Sequence, residues 1–144
     1  MKKIVLAFIL GLGLAACGKP GPIHVEDAWI RLLPGTIPAA AYFTVLNPSD
    51  KPVRLESVDA PAYGMTMMHR SVVMDGQSQM LPAASVVVPA EGSLKFSPGG
   101  YHVMLTDPVK PLQVGGSVPL TLVFDNGLKL TAQFKLMGPD AQGP

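Results

Sequence analysis

Glycine and proline interrupt this chain throughout, 15 of each in 144 residues. Proline removes a backbone donor and fixes φ, and glycine is entropically costly to order, so long helices are disfavoured and short strands joined by turns are favoured. No segment keeps a 3.6-residue apolar period over three turns, and no long internal repeat is visible. The composition, 48% apolar and 15% charged, still supplies a core, and the length suits one domain.

From Ile23 onward the apolar residues recur mostly at period two, in runs bounded by Pro, Gly, Asn or Asp. The spacing predicts strands at Ile23–Arg31, Ala40–Asn47, Val53–Val58, Met65–Met74, Ser85–Val88, Ser93–Phe96, Tyr101–Thr106, Val118–Phe124 and Leu128–Leu136. Asp125-Asn126-Gly127 suits a tight hairpin between the last two, and a second hairpin is expected to turn at Asp75-Gly76. About nine short strands at regular spacing predict an all-β fold, an antiparallel Greek-key β-sandwich or barrel over residues 23–137. The polar, broken stretch 138–144 is expected to be a disordered tail.

The first sixteen residues have a different character. Lys2 and Lys3 precede an apolar stretch from Ile4 to Leu14, then Ala15-Ala16, the pattern of a cleaved secretory signal too short to remain as a membrane span. Leu14-Ala15-Ala16-Cys17 looks like a bacterial lipobox, which would make Cys17 a lipidated N-terminus. Residues 17–22 then form a lipidated start and a Pro/Gly leash, placing the domain in the periplasm or on the outer face of the cytoplasmic membrane. Cys17 is the only cysteine, so an intramolecular disulfide, a Cys-x-x-Cys pair and a cysteine-ligated metal are excluded. The net charge is +1 with no basic run, which argues against a nucleic-acid partner; losing Lys2 and Lys3 leaves 9 basic against 10 acidic residues.

Enzyme signatures are missing: no Gly-x-Ser-x-Gly elbow, phosphate loop, dinucleotide fingerprint or His-Glu-x-x-His. The protein is therefore read as a non-enzyme. Its acidic residues, such as Asp50, Asp59, Asp75, Asp107 and Asp125, sit singly beside turn residues and read as solvated turn formers.

The methionines carry the signal. Five of eight (Met65, Met67, Met68, Met74, Met80) lie within sixteen residues, and His69 is among them. In a strand, His102 and Met104 project to one side. If Asp75 and Gly76 are the central turn residues, Met74 faces Gln77, Ser71 faces Met80 and His69 faces Pro82, which makes His69 and Met80 diagonal neighbours on one face. Met65, Met67 and Met74 read as structural, Met68 as pointing to the opposite face and at best a secondary ligand, and His24 as a surface histidine.

Two imidazoles and two thioethers without carboxylate or thiolate form a soft, neutral set that suits Cu(I) rather than hard cations, zinc or Cu(II). With the ion's positive charge uncompensated, the set is expected near the surface, on strand ends and loops. The alternative is an interaction or adhesion module whose methionines form an apolar recognition patch.

Ten residues separate His69 from Met80, twenty-one separate Met80 from His102, and one separates His102 from Met104. This resembles the His-x10-Met-x21-His-x-Met motif of the periplasmic PCu(A)C copper chaperones. Asp27-Ala28-Trp29-Ile30-Arg31, Ala41-Tyr42-Phe43-Thr44-Val45-Leu46-Asn47 and Pro98 to Leu105 also look like segments of that family, from about residue 23 to 136. The resemblance implies a cupredoxin-like domain in which His69, Met80, His102 and Met104 hold one Cu(I). It further implies delivery to the CuA site of cytochrome c oxidase subunit II, or to another copper chaperone of that pathway. The tail after Met137 lacks the His- and Met-rich extension of some members, so a second, Cu(II) site is not expected, and Cys17 adds a membrane anchor that many members lack.

Overall fold

The computed structural model describes residues 21–144; the signal segment, Cys17 and the first part of the leash lie outside the described residues. Ten strands and no helix are found among those described: β1 His24–Arg31, β2 Ala39–Asn47, β3 Val53–Asp59, β4 Tyr63–Met74, β5 Gln77–Pro82, β6 Val86–Val88, β7 Gly92–Phe96, β8 Tyr101–Pro108, β9 Ser117–Phe124 and β10 Lys129–Met137. Nine of them match the runs that period-two spacing picks out. The tenth, β5, has every residue exposed, so it has no alternation to announce it.

The strands form one hydrogen-bonded sheet in the order β5-β4-β8-β7-β2-β1-β10-β9-β3-β6, with β8 also pairing β2. Most pairings are antiparallel; β1 with β10 and β7 with β8 are parallel. The sheet curls over on itself, because the Thr66 hydroxyl of β4 donates to the Val58 carbonyl of β3 at 2.5 Å although those strands lie near opposite ends of the order.

Inside the curl, Phe43 stacks on Phe96 with centroids 4.4 Å apart and meets Phe134 edge-on at 5.6 Å. All three are buried, and emptying one such site costs about 3–5 kcal/mol. Asn47 is the one buried amide among the described residues. Its Nδ2 donates to the Lys51 and Pro89 carbonyls, and its Oδ1 accepts from Ser49, so the end of β2 is fixed to the chain entering β3 and to the chain leaving β6.

The β4–β5 hairpin sets the positions that matter most. Asp75 and Gly76 take φ of 52° and 76°, the two successive positive values of a type I′ turn. The register follows as the two-residue turn requires: Met74 opposite Gln77, Ser71 opposite Met80 and His69 opposite Pro82.

The tail differs from its expectation. Residues 138–144 form no strand, but Arg31 donates from Nε and a terminal nitrogen to the Ala141 carbonyl at 3.2 and 2.7 Å, holding the tail against β1. The same guanidinium lies 5.4 Å from the Trp29 ring and 5.3 Å from that of Tyr42. A cation over aromatic faces needs no acidic partner, so composition gave no sign of this contact.

Candidate metal centre

Strands β5, β4 and β8 are consecutive in the sheet, and the site grows from their register. On β8, Val103 and Leu105 point into the core and are buried, so His102 and Met104 take the other face. β4 runs antiparallel to β8 with His69 opposite His102 and Met67 opposite Met104. Directly opposed residues share a face, so both imidazoles lie on the face of Met104. Across the hairpin, Met80 stands opposite Ser71 and diagonal to His69, on that face too. The fold therefore brings His69, Met80, His102 and Met104 together on one side of three adjacent strands.

The two rings are 5.8 Å apart between centroids and inclined by 37°. His102 is only 7% exposed despite facing outward, because β8 is an interior strand flanked by β4 and β2. Its Nδ1 lies 3.2 Å from the Gly100 carbonyl. A carbonyl only accepts, so Nδ1 donates to it, which leaves Nε2 as the nitrogen that can offer an electron pair. The Nδ1 of His69 is buried and has no hydrogen-bond partner. Burial first, and the neighbouring His102 second, hold its pKa below the usual histidine range, which keeps the ring neutral. An orphaned, neutral imidazole nitrogen beside a second imidazole is an arrangement that a soft cation relieves.

All four groups lie within strands, not in loops, which differs from the expectation of strand ends and loops. They are also unequally covered: Met80, on the edge strand, is 63% exposed. No group of three or more His, Cys, Asp or Glu side chains gathers among the described residues, so a hard-cation cage is not offered there.

Of the residues set aside from sequence, Met68 behaves as expected, buried and paired with Val103 on the core face. His24 is an exposed histidine at the start of β1, its pKa raised chiefly by the Pro22 carbonyl. Met65 and Met67, read as structural, are 50% and 41% exposed and pack into no core. They share the parity of His69 and so its face. That parity, positions 65, 67 and 69, was the signal in the sequence that could have placed them. The other buried orphan, the Tyr63 hydroxyl, begins β4, and burial pushes its pKa up to about 12, so it stays protonated and apart from the donor group.

A family model described as "Putative lipoprotein LpqE-like" matches residues 23–136. The chain belongs to this LpqE-like family. Among relatives, a protein of Leifsonia xyli subsp. xyli described as a putative lipoprotein is 29% identical over 140 residues, covering 88% of this chain and 83% of its own. An uncharacterized protein of Rickettsia prowazekii is 25% identical over 119 residues, covering 79% and 66%. Among solved structures, the apo PCuAC domain of PmoF2 superposes with a TM-score of 0.71 at 28% identity, covering 88% of this chain and 98% of that domain. The copper-bound PCuAC domain of PmoF2 gives 0.68 at 28% identity, covering 85% and 97%. The Cu(I) form of DR1885 from Deinococcus radiodurans gives 0.64 at 31% identity, covering 85% and 83%. This LpqE-like chain thus has the cupredoxin-like PCuAC fold, and the family resemblance read from its motif is sound.

Proposed function

We propose that this protein is an exported copper carrier that holds one Cu(I) through His69, Met80, His102 and Met104 and passes it on without chemical turnover. The observation that carries this reading is the convergence of two imidazoles and two thioethers on one face of β5, β4 and β8, with the buried Nδ1 of His69 lacking any other partner. Likeness to copper-bound and Cu(I)-bound PCuAC structures supports it. An interaction module with a methionine patch would have no need of two imidazoles paired across adjacent strands.

The cargo sets the transfer chemistry. Thioethers are weak donors to Cu(I), and thiolates are stronger, so acceptor thiolates displace the thioethers one at a time. Stepwise exchange avoids free copper, and no electron moves. The acceptor we propose is the CuA site of cytochrome c oxidase subunit II or another copper chaperone serving it. Lipidation at Cys17 would hold the domain on the outer face of the cytoplasmic membrane or elsewhere in the periplasm, in keeping with the lipoprotein names of its relatives.

X-ray absorption on the copper-loaded protein tests the donor set. The expected spectrum has both nitrogen and sulfur neighbours around a single Cu(I), and a sulfur-free shell overturns the assignment.

A further inference from the structure

We propose that Met65 and Met67, together with Met104, form a second subsite for a soft monovalent cation, sharing Met104 with the histidine-bearing site and serving as the path by which Cu(I) enters and leaves. The inference rests on the copper-carrier reading above and extends it to residues outside the four-donor motif.

Position is the first ground. Met67 stands directly opposite Met104, and Met65 stands opposite Thr106, which makes it diagonal to Met104 on the same face. Direct neighbours in such a pair have Cβ atoms about 4.5–5.5 Å apart, and diagonal neighbours are within reach of long side chains. Three thioethers therefore meet around one sheet position, and Met104 belongs equally to the group containing His102. Along β4, positions 65, 67 and 69 read Met, Met, His on one face, so the thioethers lead directly to the first imidazole.

Exposure is the second ground. Met65 and Met67 are about half exposed in the first half of a long strand, where burial rewards them little. The corresponding outward positions of β10 are Lys129, Thr131, Gln133 and Lys135. Flexible, polarizable thioethers in place of such residues give the face affinity for a d¹⁰ cation while leaving it neutral. Among the carboxylates near this end, Asp107 accepts from the Thr106 hydroxyl at 3.4 Å, beside the partner of Met65, and Asp59 lines the same hollow as Met65. Thioethers alone bind more weakly than a set with imidazoles, so this subsite fills second and empties first. Passage between the two keeps the Met104 sulfur on the ion while Met67 and Met65 replace the imidazoles, with no change of oxidation state.

The test uses the full-length chain with 13C-labelled methionine methyl groups and 15N-labelled histidine rings, titrated with Ag(I), a closed-shell soft stand-in for Cu(I). The first equivalent is expected to shift Met80, Met104 and both histidine rings, and the second to shift Met65 and Met67. In the M65L/M67L double variant, whose side chains keep their volume, the first equivalent should bind as in the parent. The second should be lost, and transfer of Cu(I) to the chelator bicinchoninate should slow by about tenfold, equivalent to a barrier change of one decade. A second equivalent that leaves Met65 and Met67 unmoved overturns the subsite, as does a double variant that transfers at the parent rate. If the first equivalent fails to move the His69 and His102 rings, the copper-carrier reading falls with it, and that failure is visible before the second equivalent is added.

Discussion

Two directly opposed cross-strand pairs on this sheet face outward and differ in one respect. On β9 and β10, Thr121 and Thr131 face each other and join their hydroxyls at 2.8 Å. On β4 and β8, His69 and His102 face each other with rings 5.8 Å apart, and a buried nitrogen of His69 finds no partner. The strand geometry is shared, but one pair satisfies itself and the other is left needing something from outside. The threonines close a surface; the imidazoles, with Met104 and Met80 beside them, leave one open to a cation.

The largest expected effect breaks the second pair. His102→Ala should weaken Cu(I) binding by on the order of 100-fold or more, since even the loss of a group that merely orients a ligand costs 10–100-fold. It should leave the melting temperature of the metal-free protein within a few degrees, because the ring makes one hydrogen bond and the aromatic core is untouched. Competition titration and calorimetry read the two quantities. Unchanged copper affinity would put the site elsewhere.

Proton competition comes next. Because burial and His102 hold the pKa of His69 below its ordinary value, the share of copper affinity that His69 supplies should stay level down through about pH 6.5 and decline only as the pH falls through the lowered folded value, where the proton competes for the ring. The same shift fixes the sign for stability. The unfolded chain takes up the proton more readily than the folded one, so the metal-free fold is most stable above about pH 6.5. It weakens as pH falls from there to the lowered folded value, below which this contribution is constant. A denaturant series across pH 5 to 8 checks the slope, and none is expected from the Thr121–Thr131 pair.

A smaller effect tests the hairpin that brings Met80 to the imidazoles. Gly76 has a φ of 76° and open space around an added Cβ, so Gly76→Ala strains only the backbone, by about 1 kcal/mol. Copper affinity should drop several-fold while the core stays intact, with the β5 amides showing the gain in hydrogen exchange. The smallest effect is on the self-satisfied pair: Thr121→Val should lower stability by about 0.5–1 kcal/mol and leave copper affinity unchanged. A copper effect there as large as that of His102→Ala would erase the distinction between the two pairs.

The sequence made this contrast legible unevenly. Alternation located nine strands because each has a face against Phe43, Phe96, Phe134 or their neighbours. The β4–β5 register was readable from two residues, since Asp-Gly at the centre of a two-residue turn leaves the pairing no freedom. β5 itself gave no alternation, being exposed on both faces, and only the expected turn at Asp75-Gly76 announced it. The side-by-side placement of His69 and His102 was not readable from strand patterning, and only the motif resemblance joined them: they are 33 positions apart, and the β4–β8 pairing, closed over a long excursion of chain, aligns them. Met65 and Met67 were misread because methionine in a strand is ordinarily core filler, and parity alone does not say which face is wet.

The position of β5 at the margin of the sheet gives the four donors a rank. Gln77–Pro82 hydrogen-bonds to β4 alone, whereas β4 and β8 are each gripped on both sides. Peeling it away unzips a single ladder and exposes no aromatic ring of the core, so of the quartet Met80 is the one whose retreat is cheapest. Its withdrawal would loosen the ion's hold on that side and let it slide toward Met104, the sulfur shared with Met67 and Met65.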